Sequence, residues 1–322
     1  MEGKKYSILA ILEVLKRYSD EDHILTVKEI NSHLKNEYDL ELERRTLYSN
    51  VDLLKQFGYD ISDFDDNGKG YYLASRQFDK GEILLLCNAI HASHFISSRQ
   101  SDDLIRKLLD TQSRYEAKEF SDKVYMPNPL KTENRQLIYT ITAVSEAIRD
   151  RKKLKFTYLK YDQNKKLVPR RKDPYIVEPR YIVYADSRAY MIVTSPNHPG
   201  FIHYRLDRMK DSLILDEEAP VLRSGRDAYE YARNKLFMYA GETGYVSFCC
   251  EESIMDQMID IFGPSLNLMN SGDSHFVIRV KTSDNGALFL AQQYLDSMVI
   301  LEPEELKDRF RKQLKKALND YR

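Results

Sequence analysis

The sequence predicts an α+β multidomain protein with a winged helix-turn-helix in front, a helical linker, a small β-barrel and a C-terminal α+β unit. Three observations predict it. Apolar residues recur at helical spacing up to Phe57 and are followed by a hairpin signal. The period then changes to strands after Lys153, and after Tyr245 strands and helices alternate. At 322 residues the chain also exceeds one ordinary core.

Taken in order, Ile8, Leu9, Ile11, Leu12 and Leu15 form the buried stripe of a first helix over about Lys5 to Tyr18. Thr26-Val27-Lys28-Glu29 is a capping box that opens a second helix ending near Lys35. A third runs from Glu43 to Phe57 with Leu47, Val51 and Leu54 inward, and Gly58 stands where a left-handed cap is wanted. Asp65-Asp66-Asn67-Gly68-Lys69-Gly70 then reads as a hairpin turn before the strand Tyr71-Tyr72-Leu73. These elements define a winged helix over 1–75.

Residues 76–130 read as a helical linker, with Ile83-Leu84-Leu85-Leu86 and Leu104, Ile105, Leu108 and Leu109 as buried faces, interrupted at Pro127 and Pro129. The unit over 131–220 opens with a helix from Asn134 to Lys152. Strands follow over Lys153 to Tyr161, Tyr175 to Tyr184, Arg188 to Ser195, Phe201 to Leu206 and Ser212 to Leu215, with a turn at Pro196-Asn197-His198-Pro199-Gly200. A linker over 221–244, helical from Arg226 to Leu236, leads to an α+β unit over 245–322. That unit has strands at Tyr245 to Cys250 and His275 to Thr282, and helices at Ser253 to Phe262, Ala287 to Leu295 and Pro303 to Tyr321.

Composition narrows the function. With 42% hydrophobic and 31% charged residues and no apolar run long enough to span a bilayer, a soluble cytoplasmic protein is expected, with no membrane partner. Two lysines precede an apolar stretch broken by Glu13 and Lys16, so no export signal is visible. Cys87, Cys249 and Cys250 are three in number and lack metal-ligand spacing, which argues against a disulfide frame and a zinc site. His91 and His94 have no third ligand, and no phosphate loop or nucleophile elbow occurs; neither enzyme activity nor a cofactor is expected. The net charge of −1 conceals an asymmetry: ten Lys and Arg face fifteen Asp and Glu over 1–75, whereas fifteen face five over 151–210.

Two segments carry candidate sites. On the third helix Arg44, Arg45, Tyr48, Ser49 and Lys55 project outward, Asn50 is a further candidate contact, and Thr46 suits a phosphate near the helix start. Arginine forks onto guanine, and Ser or Asn reaches phosphates or base edges, so the helix can read the major groove of duplex DNA, with Lys69 as a wing contact. The same face would equally suit a protein partner. In the middle unit, nine rings from Phe156 to Tyr204 interleave with the fifteen cations, a lining that holds phosphates by charge and bases by stacking. Strand alternation puts His203, Arg205 and Asp207 on one face. The alternative is that the rings fill a core and Arg205 pairs with Asp207 or Glu178.

The stretch His203-Tyr204-Arg205-Leu206-Asp207-Arg208-Met209, followed by Ile214-Leu215-Asp216-Glu217 and preceded by Glu178-Pro179-Arg180-Tyr181 and Ala189-Tyr190-Met191, resembles the WYL-domain transcriptional regulators. Ala189-Tyr190-Met191 occupies the name-giving Trp-Tyr-Leu position and keeps only its tyrosine. Arg45-Thr46-Leu47-Tyr48-Ser49-Asn50 with Tyr71-Tyr72-Leu73 is similar to the winged helix at the front of these regulators, and the tail from Tyr245 to their C-terminal extension, a dimerisation domain. The resemblance implies a five-stranded Sm-like barrel, a homodimer on a double-stranded DNA operator, and a nucleotide or oligonucleotide ligand. Tyr190, His203, Arg205 and Arg208 would line the ligand pocket by motif match. Charge and position add Tyr158, Arg170 and Arg180. The expected protein is a ligand-sensing regulator. The alternative is a single-strand-binding accessory of repair or phage defence without operator preference.

Overall fold

Apolar spacing decides the first elements. In the computed structural model, which describes residues 6–123, 131–185, 187–196, 198–221, 231, 238–239, 241–270 and 274–321, helix α1 spans Ser7–Tyr18 and buries Ile11 and Leu15 completely. The chain divides into two units, 1–135 and 136–322. In the first, Thr26 caps α2 (Val27–Tyr38): its hydroxyl accepts from the Glu29 N–H while the Glu29 carboxylate accepts from Thr26 N–H. The helix runs three residues past the expected Lys35, because Asp39 adopts a left-handed conformation that ends it. Helix α3 (Arg44–Gln56) turns Leu47, Val51 and Leu54 into the core shared with Ile30 and Leu34.

The expected hairpin turn holds a helix instead. Strands β1 (Ile61–Ser62) and β2 (Tyr72–Leu73) pair antiparallel, but between them Asp63 accepts from the N–H groups of Asp65 and Asp66 and nucleates a one-turn helix, α4 (Phe64–Asn67), closed by a left-handed Gly68. Gly70 is required by proximity: a Cβ there would sit 2.3 Å from the Leu25 carbonyl oxygen, where residue 25 bridges Tyr71.

Three helices follow, α5 (Lys80–Ala92), α6 (Ser98–Leu109) and α7 (Arg114–Lys123), around Ile83, Cys87, Leu109 and Phe120. Of the run Ile83-Leu84-Leu85-Leu86, Leu85 is 70% exposed, since consecutive helical positions point about 100° apart and only one face can be covered. Arg76 joins this part to α1. Its guanidinium donates to the carbonyls of Lys16 and Ser19 and pairs with the buried Glu116 on α7. Asp20 makes a second tie, accepting from the Ser113 hydroxyl and from the ring and backbone N–H of His23.

In the second unit α8 (Leu137–Arg149) packs Leu137, Val144 and Ala147 on a sheet of six strands. These are β3 (Lys152–Tyr161), β4 (Leu167–Pro169), β5 (Tyr175–Ala185), β6 (Arg188–Ser195), β7 (His198–Arg205) and β8 (Met209–Glu218). The order is β4-β3-β5-β6-β7, with β8 on β3. Five strands in a closed barrel were expected. The sheet has six, and no ladder joins β7 to β8 among the described residues. A 3-10 turn at Leu206–Arg208 instead carries the chain from the β6 side to the β3 side. Strand β7 also starts earlier than expected, at His198, taking in part of the presumed turn, with Gly200 at φ +86°.

A second sheet of order β10-β11-β9-β12 combines β9 (Thr243–Glu251), β10 (Leu268–Asn270), β11 (His275–Ser283) and β12 (Met298–Glu302). Its core of Val246, Phe248, Ile278 and Ile300 is covered by α9 (Met255–Phe262), α10 (Asp284–Gln293) and α11 (Glu304–Asp320). Alternation along β9 sends Cys250 into this core, and burial pushes its thiol up to about 12. Met1 to Lys5, the prolines 127 and 129, Asn197, and the expected linker helix from Arg226 to Leu236 apart from Tyr231 lie outside the described residues. Among the described residues no helix is long and apolar enough to cross a membrane, and no group of side chains is suited to a metal ion.

Asp20 gives a pH test of the first unit. Burial alone would raise its carboxyl, but the hydrogen bonds from Ser113 and His23 and the His23 charge outweigh it and hold the group below 3.8. A depressed folded value stabilises above the unfolded one, and the contribution is lost as pH falls through the folded value. Asp20→Asn is expected to lower stability by on the order of 1–3 kcal/mol at neutral pH, and to flatten the loss in urea midpoint between about pH 4.5 and 3. Equal acid slopes for the two proteins would show that the Asp20 charge contributes nothing.

Candidate nucleic-acid interface and ligand cleft

On α3 the core residues Leu47, Val51 and Leu54 define the inward direction, and the rest of the helix can be placed against them. Arg45 and Ser49 are exposed on the opposite side, and Arg44 and Tyr48 on its flanks. Tyr48 lies 6.2 Å from the Tyr71 ring of the hairpin. Arg44 lines a hollow with Lys28, Ser32 and Lys35 of α2. Thr46 is half-buried. Asn50 is drawn inward, its amide donating to the Ser7 hydroxyl on α1 at 3.1 Å, so it is not presented as a free base reader. Lys69 is exposed beyond α4, where its backbone N–H donates to Asn67. Selecting outward cations overlooked two further residues on the same exposed side, Asp52 and Gln56.

In the second unit a cleft of about 1220 Å³ opens along β7. Five of the seven expected ligand residues line it: Tyr158, Arg170, Tyr190, His203 and Arg205. Tyr158, Tyr175 and Tyr204 stand edge to face, with centroids 5.1–6.0 Å apart, above the fully buried Phe156. The Arg171 guanidinium lies 3.6 Å from the Tyr175 centroid and donates to the carbonyls of Asp173 and Pro174. Burial raises the phenol of Tyr158, against the Arg205 backbone N–H that donates to it. Farther along, His203 meets the Tyr231 hydroxyl at 2.9 Å, and Tyr190 and Phe201 flank them. Burial pushes the Tyr231 phenol up to about 12. Tyr231, Met238, Tyr239 and Thr243 lie far along the chain from the motif, and no local signal marked them.

Two of the expected cations have other tasks. Arg180 is absent from the cleft: it donates to Thr194, to the Pro220 carbonyl and to the buried carboxylate of Glu178. Arg205 lines the cleft but forks onto the buried Asp207 at 3.0 and 2.6 Å. Asp207 does not continue the strand face as expected, because the 3-10 turn folds it back under Arg205. The cleft is therefore aromatic first and cationic second. Arg170 is the lining cation without an ion pair among the described residues, and Glu242 adds an acid to the wall. Arg208 is outside the lining, 5.5 Å from the Tyr161 ring, with its Nε buried and unbonded.

Residues 139–213, from α8 into β8, match the WYL domain family, so the chain carries a WYL domain there. The lining residues Tyr231, Met238, Tyr239, Gly241, Glu242 and Thr243 lie outside that stretch. Among solved structures the chain is similar to proteasome accessory factor B/C (PafBC) of Arthrobacter aurescens, at 16% identity and a TM-score of 0.28, over 98% of this chain and 48% of that one. It therefore spans about half the length of that protein. It is also similar to a CRISPR Cas-related protein known from a crystal structure, at 14% identity and a TM-score of 0.39, over 99% and 85% of the two chains. No curated protein matches the chain.

Arg180 and Glu178 form a strut, and its removal has a defined signature. Arg180→Ala leaves a buried carboxylate unpaired and is expected to cost about 3 kcal/mol, while Glu178→Gln in the same chain recovers part of the loss. A double-mutant cycle by urea unfolding measures the coupling. Additive losses would show that the two charges do not support one another.

Proposed function

We propose that the protein is a DNA-binding regulator in which a front winged helix-turn-helix reads a duplex operator through α3, while the WYL domain, a bent Sm-like sheet, takes a nucleotide or short oligonucleotide. The observation that carries this reading is the meeting of Tyr158, Tyr175 and Tyr204 with Arg170 in one cleft. Of these rings Tyr158 is buried and Tyr175 carries Phe156 and Arg171 on its ring, so the half-buried Tyr204 is the one suited to stack on a base, and an arginine without an ion pair among the described residues suits a phosphate. At about 1220 Å³ the cleft exceeds the usual range for one small ligand, which favours an oligonucleotide over a mononucleotide. The DNA half is supported by an outward α3 face with Arg45 and Ser49, flanked by Arg44 and Tyr48.

The protein acts as a homodimer whose two α3 helices take successive half-sites, and ligand alters their presentation with a coupling of about 1–3 kcal/mol. One observation favours a second reading. The front residues 1–75 carry more acid than base, which weakens duplex binding and suits an accessory of repair or phage defence that handles single strands in the cleft.

Two measurements separate them. Gel shifts on duplexes recovered by genome-wide footprinting are expected to disappear for the Arg44→Ala, Arg45→Ala double variant, with its unfolding midpoint unchanged; persistence would remove α3 from the DNA interface. Anisotropy with a fluorescein-labelled short single-stranded oligonucleotide is expected to show affinity falling about tenfold for Arg170→Ala and for Tyr204→Leu. Wild-type affinity in both would remove the cleft as its site.

A further inference from the structure

On an α-helix each residue advances about 100°, so positions seven and eleven apart share nearly one azimuth. From Arg45 on α3 this places Ser49, Asp52 and Gln56 with it inside an arc of about 60°, on the side opposite Leu47, Val51 and Leu54. All four are exposed. The neighbouring cation makes its ion pairs elsewhere: Lys55 is held by Asp63 at 2.5 Å and lies near Asp66, and it acts on Asp52 only as a weaker, longer-range charge. Asn50, which from its type would suit adenine, is spent on Ser7. The outward line of the helix therefore reads donor, hydroxyl, carboxylate, amide.

We propose that Asp52 is a specificity-determining residue, accepting a hydrogen bond from cytosine N4 about three base pairs from a guanine held by Arg45; this rests on the reading of α3 as the duplex-contacting helix. The spacing follows from the helix rise, since seven residues span about 10.5 Å and base pairs stack at roughly 3.4 Å. A docking that brings Arg45 and Ser49 to the groove floor brings Asp52 with them. An ionised carboxylate set against a duplex without a donor is costly. In the major groove only cytosine N4 and adenine N6 donate, and adenine adds an N7 acceptor that a carboxylate repels. Guanine and thymine offer only acceptors there. Asp52 thus works by exclusion as much as by attraction.

The test is selection of randomised duplexes by the full chain as wild type, Asp52→Asn and Asp52→Ala, with sequencing of the enriched pools. The wild-type pool is expected to show guanine and, about three base pairs away, cytosine preferred roughly tenfold over thymine. Asp52→Asn should convert that one column to adenine, which an amide can bond at N6 and N7 together, and Asp52→Ala should flatten it. Identical columns in all three pools, or a uniform rise in affinity when the charge is removed, would overturn the role of Asp52 while leaving α3 on the DNA. Pools with no enriched duplex for any of the three would overturn the duplex reading itself, and this inference with it.

Discussion

The fork between Arg205 and Asp207 is the contact on which the second unit turns. A buried ion pair recovers its desolvation cost only with good geometry, and here both oxygens of a carboxylate that is 3% exposed meet two nitrogens of one guanidinium. The pair closes the 3-10 turn that ends β7 and starts β8, so the chain leaves β6 and arrives at β3. The backbone N–H of Arg205 donates to the Tyr158 hydroxyl, which ties the ring cluster to the same corner. Cleft and sheet path thus meet at one residue, Arg205, through its side chain and its backbone N–H.

That contact explains why the middle segment's charge is a poor guide to its chemistry. Fifteen cations against five acids over 151–210 implied a positive cavity. Two of those acids, Glu178 and Asp207, are buried and pair with Arg180 and Arg205, while Lys153 reaches out to Glu217. What the cleft retains is ring surface with Arg170 at its side.

Much of the architecture was legible because it follows from periodicity. The stripes of α1 and α3, the Thr26 capping box and the long strands β3, β5 and β6 each leave a repeat that a single chain displays. Strands of three to five residues such as β4, β10 and β12 are too short to alternate visibly and were missed. The one-turn helix α4 was missed for another reason: the polar run Asp65-Asp66-Asn67 favours a turn by composition, and only the reach of the Asp63 carboxylate to two N–H groups makes it a helix. For the candidate sites, residue type proved a partial guide. Tyr158, Arg170, Tyr190, His203 and Arg205 do converge, whereas Asn50 is satisfied by Ser7, distant in sequence, Arg180 by Glu178 two residues away together with the distant Thr194 and Pro220, and Tyr231 enters the cleft from well beyond the motif. Partners at long sequence separation leave no local trace.

Arg76 also has a mechanical consequence. Its guanidinium is bonded at once to two carbonyls at the end of α1 and, through Glu116, to α7, while Ser113 at the start of α7 grips Asp20. The Ser113–Asp20 contact is a hydrogen bond out of water, whereas the buried Glu116 Oε2 meets the Arg76 guanidinium as an ion pair at 3.6 Å without a hydrogen bond, so two contacts of different kinds tie α7 to the end of α1.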